Sequence, residues 1–202
     1  KSVFLQKDIN DIKDSIISKK LSIQELINIS NKFYKLTENQ LHAWSYYNGN
    51  NIKNYSSEYL KNSLLGIPFG IKDIFNTDDM PTEMGSPIWK NFTPGNNARV
   101  VDKLKWCGAV PIGKTVTAEF AVHHLNSTIN PHNRLKTPGT SSSGSAVSVA
   151  AGVVPFALGT QTAGSIIRPA SYCGVWGMKP SFGMIPRTGV LKTTDSLDTV
   201  GF

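Results

Sequence analysis

The sequence predicts an α/β fold with a mixed, partly parallel central sheet flanked by helices. Two observations carry that prediction. From Leu64 onward, short apolar runs are broken by Gly and Pro, the pattern of buried strands, and helix-like segments stand between them. Strands alternating with helices favour parallel pairing, because a parallel neighbour needs a crossover. The size also fits: 202 residues, 40% hydrophobic and 17% charged, are enough for one domain with a real core.

The elements follow in order. Ile9, Ile12, Ile16 and Ile17 recur at helical spacing, and Ser22 with Glu25 forms a capping box that opens a second amphipathic helix through Phe33, so residues 6–36 read as two helices. Residues 41–47 read as a strand and 48–63, rich in Asn, Lys and Ser, as a surface linker. Residues 67–73 read as a strand, 76–97 as a polar loop, 100–106 as a helix, 109–112 as a strand and 117–123 as a short helix. After a loop at 126–140, residues 145–151 read as a helix of small residues and 153–158 as a buried strand. The chain thus reads as a single domain, 1–202, with a mostly helical region at 1–63 and a core at 64–202.

Composition narrows the classes of function. No apolar run approaches the length of a membrane span, and the N-terminus lacks a signal-peptide layout. Two cysteines without a C-x-x-C pattern predict free thiols and a cytoplasmic location. The net charge of +7 is scattered, not gathered into a basic groove, so no nucleic-acid partner is expected. The four histidines lack zinc spacing and no G-x-S-x-G elbow is present, so neither a metal nor a cofactor is expected.

Gly108–Thr115, GAVPIGKT, matches the phosphate-loop pattern G-x-x-x-x-G-K-[ST]. A phosphate loop needs free N–H groups between a strand and a helix. Here a helix precedes Gly108, the intervening residues are apolar, and Pro111 removes a donor. Lys114 therefore reads as part of a strand and turn, with a nucleotide binder as the remote alternative.

Residues 138–169 hold two Ser/Gly clusters around an apolar run, and Lys72 closes the uncharged segment LLGIPFGIK. A nucleophilic serine needs a proton acceptor and donors for the oxyanion. A buried lysine can supply the first, because burial disfavours its ammonium form. Each element has a plainer reading: Lys72 snorkelling or paired with Asp73, the segment 139–145 a loop or helix cap, and 162–165 a turn.

In combination these motifs resemble the amidase signature family of Ser–cis-Ser–Lys hydrolases. The resemblance rests on GIPFGIKD, AVPIGKT followed by EFA, PGTSSSGSA, GTQTAGS and YCGVWGMKPSFG, in that order across roughly residues 64–202. It implies Ser165 as nucleophile, Ser141 as a cis-serine relay and Lys72 as base. It further implies an oxyanion hole at Thr162, Ala163 and Gly164, together with the Ser165 N–H. The implied activity is hydrolysis of a small-molecule amide without metal or cofactor. The family also includes the amidase subunit of a tRNA-dependent amidotransferase, so the alternative reading is a non-catalytic or partner-dependent subunit, with a homo-oligomer or a companion chain as a partner expectation.

Several positions depart from the family pattern. Thr140 stands where many members have Gly, and Gln161 where many have Asp. Arg168 is displaced by one position, which leaves two readings: contact with a substrate carboxylate, or a structural arginine bonding loop carbonyls. Arg168, Ser142 and Gln161 are accordingly the candidate substrate-binding residues. Members continue well beyond the segment 196–201, so the chain is expected to be the N-terminal part of a longer domain with an incomplete fold.

Overall fold

A computed structural model describes residues 1–52 and 62–202. The centre of the expected linker, 53–61, lies outside the described residues. Five helices and five strands carry the architecture of the described residues: α1 (Ile9–Ile17), α2 (Ile23–Leu41), β1 (Trp44–Tyr47), β2 (Pro68–Lys72), α3 (Arg99–Trp106), β3 (Val110–Thr115), α4 (Ser143–Ala150), β4 (Phe156–Gln161), α5 (Ile167–Cys173) and β5 (Thr199–Gly201). The sheet order is β1-β3-β2-β4-β5. β2 runs parallel to both β3 and β4, while β1 and β5 pair antiparallel on either side. This is the mixed, partly parallel sheet that the alternating pattern predicts.

Both faces of the sheet are covered. On one, Ile23 and Ile27 of α2 and Ala146 and Val147 of α4 pack against Trp44, Val110, Ile112 and Ala157. On the other, Phe69, Ile71 and Leu158 meet Val100 and Val101 of α3 and the loop residues Phe75 and Met80. A third cluster joins α1 to α2 through Ile12, Ile16 and Leu26. Among the described residues no helix is long and apolar enough to cross a membrane.

The capping box at Ser22 and Glu25 is present. Several elements differ from the expectation. α2 continues to Leu41, so β1 starts later; His42 ends the helix with φ 49°, and the Glu38 carboxylate accepts the N–H groups of Ala43 and Trp44 at 3.1 Å each. Residues 117–123 are not a helix beyond a single turn at Glu119–Ala121, because Phe120 and Ala121 take positive φ. The strand expected at 153–158 begins only at Phe156, since Pro155 has no N–H to give to the ladder. α5 and β5, the latter three residues long, escaped prediction.

A register shift between Phe69 and Gly70 decides where the lysines go. It pairs Lys114 with Ile71 and Thr115 with Lys72. Residues paired across strands share a face, so Lys114 lies on the Ile71 side and Lys72 on the other.

Candidate active site

Lys72 ends β2 fully buried. It shares its face with Gly70, where an added Cβ would lie 2.9 Å from Thr115 Cγ2. The Lys72 Nζ donates to Ser141 Oγ at 2.7 Å and to Thr160 Oγ1 at 2.8 Å. Among the described residues no carboxylate stands within ion-pairing distance of it. Burial pulls the amine down to about 7, against the opposing pull of Asp198.

Ser141 precedes the N-cap of α4, Ser142, and follows a cis Thr140–Ser141 peptide. Its carbonyl accepts the Ala118 N–H at 3.1 Å. Two glycines let the chain pass here. Gly139 has φ +82° and lies against Pro169, and at Gly144 an added Cβ would come within 2.4 Å of Val116 N. The small residues read as a helix pattern are thus those that allow α4 to press onto the end of β3.

The second cluster follows β4. Gln161 Oε1 accepts the N–H groups of Ile166 and Ile167 at 2.8 and 2.9 Å, which anchors the entry to α5. The two clusters are joined directly, Ser142 N donating to Ser165 O at 3.2 Å. Between Gln161 and Ile166, the backbone N–H groups of Thr162, Ala163, Gly164 and Ser165 have no acceptor among the described residues. Ser141, Thr160, Thr162 and Ser165 line one cleft together with Arg187 and Asp198.

Asp198 is the charged centre of the opposite wall. Its carboxylate accepts from Thr162 Oγ1 at 2.5 Å, Thr193 Oγ1 at 2.6 Å, Thr193 N at 2.6 Å, Thr194 N at 2.9 Å and Thr194 Oγ1 at 3.1 Å. Burial works against its charge, but these donors outweigh it and hold the carboxyl below its usual range.

The residues expected to bind substrate divide. Ser142 Oγ is engaged with the backbone of Thr160, donating to its carbonyl at 3.2 Å, and Gln161 with the N–H groups above. Arg168 folds back over Gly164, whose added Cβ would lie 2.9 Å from Nη2, so its guanidinium stands beside the N–H array. The cleft also holds polar residues that sequence reasoning passed over: Thr160, Arg187, Thr193 and Asp198. A signal existed for Asp198, the lone acid between Leu197 and a Thr-containing strand; none existed for Thr160, which reaches Lys72 only through the β2–β4 pairing.

Lys114 is absent from this cleft. It is fully buried, paired with Asp73 at 3.0 Å and donating to Pro81 O at 2.8 Å and Thr82 Oγ1 at 2.7 Å. The segment of the phosphate-loop pattern is β3 itself. Among the described residues no histidine lines the cleft; His132 Nε2 meets Cys173 O at 2.8 Å.

The family model described as Amidase matches residues 23–202. The chain is 37% identical over 207 residues to a glutamyl-tRNA(Gln) amidotransferase subunit of Bacillus pumilus, covering 96% of this chain and 43% of that protein. The structure of the Thermotoga maritima protein of the same name superposes with TM-score 0.78 at 35% identity, over 90% of this chain and 43% of the other. The native peptide amidase of Stenotrophomonas maltophilia gives TM-score 0.84 at 29% identity, over 98% and 45%. The chain therefore spans less than half the length of these relatives.

Proposed function

The chain belongs to the amidase family, and we propose that it cleaves an amide through an acyl-Ser165 intermediate, as the amidase component of a multi-subunit amidotransferase. The observation that carries the chemistry is the 2.7 Å contact of the buried Lys72 amine with Ser141 Oγ. Neutral Lys72 takes the Ser141 hydroxyl proton while Ser141 takes that of Ser165. The Ser165 Oγ forms a bond to the amide carbon, and the carbonyl π pair moves onto oxygen. The N–H groups of Thr162, Ala163, Gly164 and Ser165 receive that oxyanion, the arrangement of donors that lowers such barriers most. Collapse breaks the C–N bond, and the proton on Lys72 returns through Ser141 to the leaving nitrogen. Water, activated by the same relay, then releases the acyl group. In this scheme Gln161 and Ser142 hold the two serine segments together, and Arg168 beside the array receives a carboxylate of the substrate.

The multi-subunit setting rests on the amidotransferase subunits among the relatives. A freestanding amidase is the second reading, favoured by the peptide amidase and by the departures at Gln161 and Arg168. Covalent labelling by a fluorophosphonate, read by mass spectrometry on Ser165 and abolished in Ser165→Ala and Lys72→Ala, tests the chemistry. Its absence from the folded protein overturns it. Turnover of a panel of amides by the protein alone selects the freestanding reading; labelling without turnover until companion chains are added selects the multi-subunit one.

A further inference from the structure

Resting on the amide-cleaving reading, we infer that Asp198 is a positioning residue of this site: its carboxylate fixes Thr162 at the start of the N–H array and supplies a counter-charge to Lys72 when that amine takes up a proton. Two observations lead there. First, five donors converge on one carboxylate, from Thr162 after β4 and from Thr193 and Thr194 of the preceding loop. The loop itself is held in place by Arg187, whose guanidinium donates to Thr194 O at 3.1 Å and Asp195 O at 2.9 Å. Asp198 thus ties the array to a braced wall of the cleft.

Second, Asp198 lines the cleft with Ser141 and Thr160, the two partners of the Lys72 amine, yet forms no ion pair with Lys72. A direct pair would keep the lysine protonated and useless as a base. A carboxylate saturated by other donors leaves the resting amine neutral, while its field favours the ammonium that forms as Ser165 attacks. The surrounding charges support this division. Asp73, next to Lys72 on β2, is neutralised by Lys114 on the opposite face. Arg187 is turned to backbone carbonyls, the groups that meet Lys72 from β4 and the approach to α4 are the hydroxyls of Thr160 and Ser141, and Thr115, its register partner on β3, has its hydroxyl on Ser145.

The test is the second-order rate of fluorophosphonate modification of Ser165 against pH, in which Oγ–P forms as P–F breaks, so that no substrate need be known. The near-isosteric Asp198→Asn is expected to move the acidic limb to lower pH by about one unit and to lower the plateau about tenfold or more. Thr193→Val removes a donor and leaves the carboxylate more negative, so the limb is expected to move the other way, to higher pH. A purely structural role for Asp198 changes the plateau in both variants and moves neither limb. An unmoved limb in whichever variant retains the wild-type circular dichroism overturns the inference while the reading stands. A wild-type protein that is never labelled overturns the reading, and the inference with it.

Discussion

Asp73 and Lys114 form an ion pair at 3.0 Å on the side of the sheet away from Lys72, with side chains 1% and 0% exposed. Burial pushes both groups toward neutrality, and the charge of each opposes that push in the other. The pair also secures the loop beyond β2, since Glu83 N donates to the Asp73 carboxylate and Lys114 reaches Pro81 and Thr82. Lys72 and Asp73, neighbours in sequence, thereby belong to different networks on different faces.

Removing one partner leaves the other buried and uncompensated. Lys114→Met is expected to cost about 3–5 kcal/mol in urea unfolding. The double variant Asp73→Asn, Lys114→Met removes both charges together and is expected to recover most of that loss. Equal stability of the Lys114→Met single variant and wild type would show that the pair contributes little.

The pH dependence of Ser165 labelling tests Lys72 as the proposed base. With Lys72 drawn down to about 7 by burial, the amine is neutral above that pH and protonated below it. The labelling rate is expected to rise with pH through a midpoint of about 7. In Lys72→Met the rate is expected to fall by about 100-fold or more and to lose this limb. A limb that persists in Lys72→Met would assign the titration to another group.

Much of this candidate site was legible because the residues it brings together sit in short local patterns. The strand ending at Lys72 declared itself through the alternation of Phe69 and Ile71 with Pro68 and Gly70, and the capping box gave the start of α2. The two serine clusters stood out through their small neighbours, which the structure needs for the close approach of α4 to Val116 and of Gly139 to Pro169, and only the family resemblance singled out Ser141 and Ser165 within them. What stayed hidden depends on pairing between distant segments. Thr160 meets Lys72 because β4 lies beside β2, and Asp198 meets Thr162 because β5 adds to β4; neither contact leaves a periodic trace. The departure at 117–123 has the same kind of cause, the Phe120 N–H being drawn to Met84 O while Ala118 N binds Ser141 O.

Gln161 serves the serine segment through two hydrogen bonds to one oxygen, from Ile166 N at 2.8 Å and Ile167 N at 2.9 Å. It does for α5 what an N-cap side chain does at any helix start. Gln161→Ala is expected to cost about 1–2 kcal/mol of stability and to slow Ser165 labelling, since the chain between Gln161 and Ile166 carries the free N–H groups. Gln161→Glu keeps the acceptor and is expected to restore stability. Thermal melts beside labelling rates check both, and a stable but slow Gln161→Glu would place the effect in charge near the cleft.

Lys72 also leaves a signature in folding that needs no assay of activity. Its folded value of about 7 lies below the ordinary 10.5, so between those limits the unfolded chain binds more protons than the folded one. Stability contributed through this group therefore rises with pH across that window, and the full penalty of a buried ammonium is felt below about 7. Lys72→Met removes the penalty while keeping the volume. It is expected to be more stable than wild type by about 3–5 kcal/mol near pH 7, with the gain shrinking steadily as pH approaches 10.5. Urea unfolding of the two proteins at three pH values within that window measures it. A gain that is independent of pH would mean that Lys72 folds with its proton in place, and would remove the basis for its role as the acceptor.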